Sequence, residues 1–421
     1  MDYADIATTA VTEVQSLFKR VYFKALNAVP DATALTAQLN RTTKVKAGPD
    51  GLYFNVKLET GGKVANVPDG VLLPSASRPI RRQGKADLVH TYTVVGIGGQ
   101  SIPLTSDTRN AFVANLKDQT EDAFLRVKLD MERQYNGDGD GILCVLETVA
   151  SAPTYDVQSP YGITGAGPGT MLLIDGMEVA AINPADGTER DRQTIDSVDP
   201  DNEQITCGAA FTGDEIGDYL VLCNDVDATG SDAVNNYQGE ANGIGAAIAT
   251  GDTFENIDQT AAGNRRWAAT VTATSGVITE KKIATLEARI MAASGEKPDF
   301  YYTTRGIVIE LQDQLAGMRR ADLSKKLKGG YMGLEINGRD VMPGDFCPKG
   351  HFYALNTDSK HVGMVDLVPM GFVDLDGATL HRVEGRHAYR ADLWVPHECI
   401  WYKRSVHGKI TGLTDDSSIV R

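Results

Sequence analysis

The sequence predicts an α+β fold that carries a small all-β insert, and three observations lead there. Residues 106–135 run for thirty positions without Gly or Pro and carry the pattern of a single helix. Strand-like and helix-like runs are mixed through the rest of the chain with no regular βαβ repeat. Between Ala150 and Glu240, short β-type runs recur between turn signals, in a stretch holding seventeen Asp or Glu and only two basic residues, Arg190 and Arg192.

A chain of 421 residues, 42% hydrophobic and 23% charged, can bury a sizeable core and divides into two or three domains. No apolar run approaches the roughly 18–20 residues of a membrane helix, and no basic-then-apolar signal opens the chain, so synthesis in a cytoplasm without a membrane partner is expected. Five scattered cysteines (Cys144, Cys207, Cys223, Cys347, Cys399), odd in number and without a CxxC pair, read as reduced and mostly buried. The net charge of −15 sits entirely in the 150–240 stretch, because acids and bases balance elsewhere. So local an asymmetry marks a solvent-exposed module poorly suited to nucleic acid.

Residues 4–28 place Ile6, Ala10, Val11, Val14, Leu17, Phe18, Val21 and Leu26 on a helical period that Pro30 ends, which predicts an amphipathic helix. From Ala32 to Gly48 no period appears, and an extended arm with basic Arg41, Lys44 and Lys46 is expected. GLYFNVKL (51–58) and ADLVHTYTVVGI, starting at Ala86, are aromatic and β-branched, as strands are. About thirty residues separate them, with Arg78, Arg81, Arg82 and Lys85 and the apolar triplet Val71-Leu72-Leu73. A loop so long with no core of its own is either disordered or braced by a partner, and the apolar triplet argues for the partner and is the candidate contact.

The 106–135 helix would span roughly 45 Å. Phe112, Leu116, Ala123, Phe124, Val127 and Met131 mark its apolar face, charged residues fill the rest, Thr105 or Ser106 caps its start, and Asn136-Gly137 offers a left-handed exit. LCVLETVA follows. The acidic stretch then reads as strands at 8–12 residue spacing (TMLLI, MEVAAI, RQTIDSV, QITCGAAF, DYLVLC), a sandwich or barrel. Beyond it, Thr279 to Ala293 is a helix with Ile283, Leu286, Ile290 and Met291 on one face, stopped at Gly295. DFYYTT (299–304) is a strand that feeds a second helix, RGIVIELQDQLAG. The last ninety residues are mainly β: HFYAL, GMVDLV, ATLHRVEG, AYRADLWV and CIWYKRSV.

Chemical motifs are few. Asn136-x-Asp138-x-Asp140-Gly141 with Glu147 at position twelve fits a calcium loop in spacing, since alternating carboxylates supply oxygens and the last Glu can be bidentate. No exiting helix follows, and the plainer reading is a Gly-Asp turn ending the long helix. GAGPGT (165–170) lacks a Lys and leads into a strand, so it is no phosphate loop. Cys347 with His351, or His397 with Cys399, lacks the second pair that a metal site needs. Neither a GxSxG elbow nor a His-Glu-x-x-His helix occurs. The chain offers no catalytic set, and no cofactor is expected.

The order of elements, together with GIGAAIATGDTFENID through RRW, the helix–PDFYYTT–helix unit, GLEINGRDVMPGDFCPKGHFYALNTD and DGATLHRVEGRHAYRADL, resembles the major capsid proteins of tailed bacteriophages with the Hong Kong 97-type fold. The resemblance implies an N-terminal arm at 1–48, an extended hairpin loop at 49–104 reaching a neighbouring subunit, and a spine helix of the peripheral domain at 105–137. It implies an axial domain from 138–154 and 236–375, an acidic all-β insertion domain at 155–235 on the outer surface, and C-terminal strands at 376–421 shared between peripheral and axial domains.

The function implied is structural: a coat protein assembling as hexamers and pentamers into an icosahedral shell around double-stranded DNA, without sequence-specific binding. Assembly in a host bacterial cytoplasm, a virion location, a scaffolding protein, a portal and a possible decoration protein go with it. The chain starts directly with the arm, so scaffolding on a separate protein, or a mature form, is expected. Assembly contacts are assigned to Val71, Leu72, Leu73, Arg78, Arg81 and Arg82. The alternatives are a same-fold shell around a cargo protein and a calcium-binding surface β-protein.

Overall fold

The computed structural model describes residues 34–42, 45–48, 51–69, 71–98, 109–148, 153–226, 228, 233–251, 253–316, 324–326, 332–365, 371–373, 381–383 and 388–415. The helix expected at 4–28 and the cap expected at Thr105 or Ser106 lie outside them.

The long helix is present as Arg109–Asn136. Ala123, Val127 and Met131, one turn apart, enter the main core. Its last turn departs from the amphipathic expectation, because Glu132, Arg133, Gln134, Tyr135 and Asn136 are all buried. Distant segments converge there. The amides of Leu35 and Thr36 donate to the Glu132 carboxylate at 2.6 and 2.8 Å. Gly137 is not the left-handed exit; its N–H still donates to the Arg133 and Gln134 carbonyls, and the positive φ values fall at Gly139 (+89°) and Gly141 (+75°).

Strand Gly51–Glu59 alternates as foreseen, with Leu52, Phe54, Val56 and Leu58 in the core. Its partner is not the run starting at Ala86 but Ile80–Ala86, the basic stretch expected to be loop. That strand shows no apolar alternation because its inward positions are Gly84 and Ala86. The Phe54 ring lies over Gly84, where a Cβ would come within 2.2 Å of it. Val89–Gly98 pairs instead along its whole length with Ala388–His397, 290 or more residues away.

A seven-stranded sheet runs in the order Thr270–Gly276, Gly408–Leu413, Phe352–Leu355, Phe300–Thr303, Arg339–Pro343, Met332–Ile336, Ser324–Lys326. Phe300–Thr303 is buried on both faces: Tyr301 faces a core shared with helices Glu280–Ser294 and Arg305–Ala316, while Phe300 and Tyr302 face the main core. Thr279 caps the first of these helices by accepting from the Lys282 N–H, and Gly295 (φ +75°) ends it. Met291, expected on the buried face, is 39% exposed. Glu287 takes that stripe position and pairs with Arg339 at 2.5 Å.

Gly408–Leu413 was not foreseen. A Cβ on Gly408 would lie 2.8 Å from the Thr270 carbonyl and 2.9 Å from the Ile290 methyl, so the residue that weakens the strand pattern is the one that lets sheet and helix close. CIWYKRSV is not one strand either: pairing stops at Trp401, and Arg404–Val406 is a 3-10 turn. The turn aims the fully buried Arg404 at the Ala246, Ala247 and Ala249 carbonyls (3.1, 2.5 and 3.1 Å), with its guanidinium 4.4 Å from the Phe254 ring centre.

The acidic stretch forms a closed, antiparallel barrel with the cyclic order Gln204–Cys207, Thr154–Gln158, Ile142–Leu146, Tyr219–Leu222, Glu178–Ile182, Glu189–Asp199. Ile142–Leu146, expected in the body with the rest of 138–154, is a barrel strand and puts Leu143, Cys144 and Leu146 into the barrel core. The insert therefore starts at Ile142, directly after the helix turn. A barrel needs every edge paired, and this strand closes the gap between Thr154–Gln158 and Tyr219–Leu222.

Candidate assembly surfaces and the barrel junction

The hairpin ends in an apolar tip over a basic stem. Its legs are bridged where the Gly62 N–H donates to the Ser77 hydroxyl at 2.9 Å and the Lys63 ammonium donates to the Ser75 hydroxyl at 3.1 Å. Beyond the bridges Val64 is 97% exposed, Leu72 91%, Leu73 75% and Val71 54%. The stem carries exposed Arg78, Arg81 and Arg82. Arg82 also braces the stem within the chain, donating to the Asn264 side-chain oxygen at 3.3 Å. Fully burying one Leu is worth about 1.5–3 kcal/mol, so this tip is a costly surface for a chain that stays alone.

A second apolar surface was not marked by the sequence. On the outward face of the Val89–Gly98/Ala388–His397 pair, Trp394 stacks between His90 (5.8 Å) and Tyr92 (6.5 Å), and its indole N–H donates to His90 Nδ1 at 3.2 Å. Tyr92 and Val94 are 61% and 52% exposed. Period-2 alternation was visible in this strand; that the outward residues would align with an aromatic residue three hundred positions later was not.

The turn proposed as a calcium loop lies where the barrel meets the body. Asp138 accepts from the Asp140 N–H at 3.3 Å, and burial, followed by the nearby Asp140 charge, raises the Asp138 pKa. Asn136 is buried and donates to the Glu132 carbonyl. Glu147 is exposed, past the far end of Ile142–Leu146, so the structure does not bring it back to Asn136, Asp138 and Asp140. Five strand residues span about 17 Å, too far for one ion. Among the described residues no three His, Cys, Asp or Glu gather as a metal cluster.

What the turn does contact is the chain leaving the barrel. The Gln238 and Glu240 amides donate to the Asp140 and Gly139 carbonyls, and the Gly245 amide donates to the Gly137 carbonyl. A Cβ on Gly141 would stand 2.2 Å from the Asn236 carbonyl, and one on Gly243 would stand 2.4 Å from that of Gly137. The incoming and outgoing chains thus lie side by side, locked by Arg133, which donates to Glu240 at 2.5 and 2.8 Å and to Asp130 at 2.9 Å.

The glycines of 165–170 also serve packing, because the Ala166 carbonyl accepts from the Lys349 N–H and a Cβ on Gly169 would strike the Val157 backbone. Next to them Arg305, Asp345, Lys349 and Asp415 line a cavity of about 60 Å³ between barrel and sheet, where the Arg305–Asp345 ion pair spans 2.6 Å. His351 hydrogen-bonds the Lys349 carbonyl, and His397 hydrogen-bonds the Thr91 hydroxyl at 3.0 Å, so neither joins its neighbouring cysteine in a ligand set.

No protein-family model and no curated protein matches the sequence. Solved structures do match. The capsid of cyanophage A-1(L) superposes with a TM-score of 0.52 at 14% identity, over 94% of this chain and 96% of that one. The encapsulin of Synechococcus elongatus PCC 7942 follows at 0.49 and 10%, over 95% of each chain. The capsid of a native GTA particle gives 0.46 and 9%, over 96% and 99%. The fold is the α+β capsid fold of the Hong Kong 97 type with an inserted β-barrel.

Proposed function

We propose that this chain is a major capsid protein that assembles as hexamers and pentamers into an icosahedral shell around the double-stranded DNA of a tailed bacteriophage. The observation that carries the reading is the exposed apolar tip at Val64 and Val71–Leu73 on a basic stem, in a chain with a capsid fold. Such a tip is stable only when covered, and a shell covers it with a neighbouring copy.

Charge supports the enclosure of nucleic acid. The acidic excess is confined to the barrel region, which like charge keeps away from packed DNA, while the remainder of the chain is balanced. Residues 1–48 serve as an arm, the hairpin reaches the next subunit, and the barrel faces outward, open to a decoration protein. A scaffolding protein and a portal complete assembly in a bacterial cytoplasm.

Negative-stain electron microscopy of the expressed protein, with light scattering for mass, tests the reading. Closed shells containing nuclease-protected DNA support it. Shells that enclose one specific protein other than a scaffold, and never DNA, establish the same-fold cargo container instead, and a 45 kDa monomer in every salt and with co-expressed scaffold overturns both.

A further inference from the structure

The root of the hairpin is held by a strained turn. Thr253–Phe254 and Ile257–Asp258 pair as a minimal hairpin whose two turn residues, Glu255 (φ +46°) and Asn256 (φ +65°), both lie in the left-handed region. Asn tolerates that conformation, but Glu rarely adopts it, and surrounding contacts must enforce it. Two contacts do so here. The Glu255 carbonyl accepts from the Lys85 N–H at 3.0 Å, which ties the turn to the strand Ile80–Ala86. Its carboxylate Oε1 accepts from the Trp401 N–H at 3.4 Å. The side chain is 7% exposed, and the second oxygen, Oε2, is buried with no hydrogen-bond partner.

We propose that Glu255 is the clamp on the hairpin root: its carbonyl holds Lys85, its carboxyl holds Trp401, and ionisation of that carboxyl releases the hairpin from the C-terminal segment. The groups facing it come from two elements. Glu398, Cys399, Tyr402 and Arg404 lie on the C-terminal segment, and Lys85 lies on the hairpin with its ammonium drawn 3.4 Å from Asp87. Burial, and then the Glu398 carboxyl, push the Glu255 pKa well above the usual range, against a weaker opposing pull from the Trp401 amide and Arg404. A neutral carboxyl leaves Oε2 tolerably buried; a charged one puts an unpartnered anion beside a second carboxyl. The clamp is therefore closed at low pH and loosens as pH rises. The inference concerns the subunit itself and holds whether or not a shell forms.

Hydrogen exchange read by mass spectrometry on the peptide covering 80–86 tests it, at pH 6 and pH 8, normalised to the unfolded chain at each pH. In the wild-type subunit, protection of this peptide should fall about tenfold from pH 6 to pH 8, one hydrogen bond's worth of free energy. Glu255→Gln keeps an acceptor for Trp401 without the charge and should abolish the fall. Glu255→Gly relieves the strain but removes the carboxyl, so protection should be low at both pH values while barrel peptides stay unchanged. An identical fall in wild type and Glu255→Gln, or full protection in Glu255→Gly, overturns the proposal.

Discussion

Arg133, on the last turn of the long helix, and Glu240, on the segment leaving the barrel, form a two-pronged ion pair with side chains only 4% and 5% exposed. The pair joins residues 107 positions apart and fastens the outgoing chain of the insert to the element that launched it. Removing Arg133 strands the buried Glu240 carboxylate, a loss that typically costs about 3–5 kcal/mol, whereas removing Glu240 leaves Arg133 paired with Asp130 at 2.9 Å. Arg133→Met should lower stability by an amount of that order in chemical denaturation, and Glu240→Ala by less. The double variant should recover much of the loss, as a double-mutant cycle would read.

Gly141 and Asn236 stand in contact at the mouth of the barrel, so the insert can be removed without stretching the body. Joining Gly141 directly to Asn236 should leave a soluble, folded subunit with the circular-dichroism bands of its helices intact. Deleting 155–235 instead strands Ile142–Leu146 with an unpaired edge and Leu143, Cys144 and Leu146 in water, and should precipitate in expression trials.

Replacing Val71, Leu72 and Leu73 together with Ser touches side chains that the subunit leaves exposed. Its melting temperature should not move, since such sites usually contribute within about 0.5 kcal/mol. Assembly yield by light scattering should drop sharply. A melted subunit would assign the triplet to an internal core.

Glu398 accepts from the Asn242 and Cys399 amides inside the core, and burial pushes its pKa up to about 8. The unfolded carboxyl ionises near 4.3, so the folded chain holds an extra proton between those values and stability falls as pH rises across that window. His397 and His407 work in the opposite sense: burial lowers them to about 4 and about 3, so they cost stability only as pH falls below about 6.5. Between pH 6.5 and pH 8 the Glu398 effect stands alone among these three. Scanning fluorimetry should show a declining melting temperature there, and Glu398→Gln should make the decline shallower, leaving the part that Glu255 contributes.

Calcium and a chelator should leave the melting temperature of the subunit unchanged, because Glu147 is carried away from Asp138 and Asp140. A rise of several degrees in millimolar calcium would show an ion held by ligands other than the twelve-residue spacing.

Much of this was legible in the residues. The 106–135 period, the helix from Thr279 with its Gly295 stop, the DFYYTT strand and the repeated turns of the acidic stretch each depend on neighbours within a few positions, and local signals of that kind survive in sequence. Ile80–Ala86 and Gly408–Leu413 were hidden by the same cause, since each faces its partner with Gly where an apolar side chain would have marked it. Glu132, Arg133, Glu240, Glu255 and Glu398 read as surface charge because no local pattern marks them as buried, even where a neighbour such as Asp130 stands beside Arg133. Their hydrogen-bond partners at Leu35, Trp401 and Asn242, and Arg133's own partner Glu240, lie roughly 100 or more positions away.

Composition and periodicity act within one element, and they were enough to give the class of fold, the long helix, the acidic β insert and the apolar tip of the hairpin. Long-range contacts settled that the barrel borrows its closing strand from Ile142–Leu146, that the strand after the hairpin pairs with the C-terminus, and that Glu132, Arg133, Glu255, Glu398 and Arg404 are buried where the segments meet. Those outcomes turn on which distant groups can satisfy a buried hydrogen bond or a bare strand edge, and that condition is met only once the whole chain has closed.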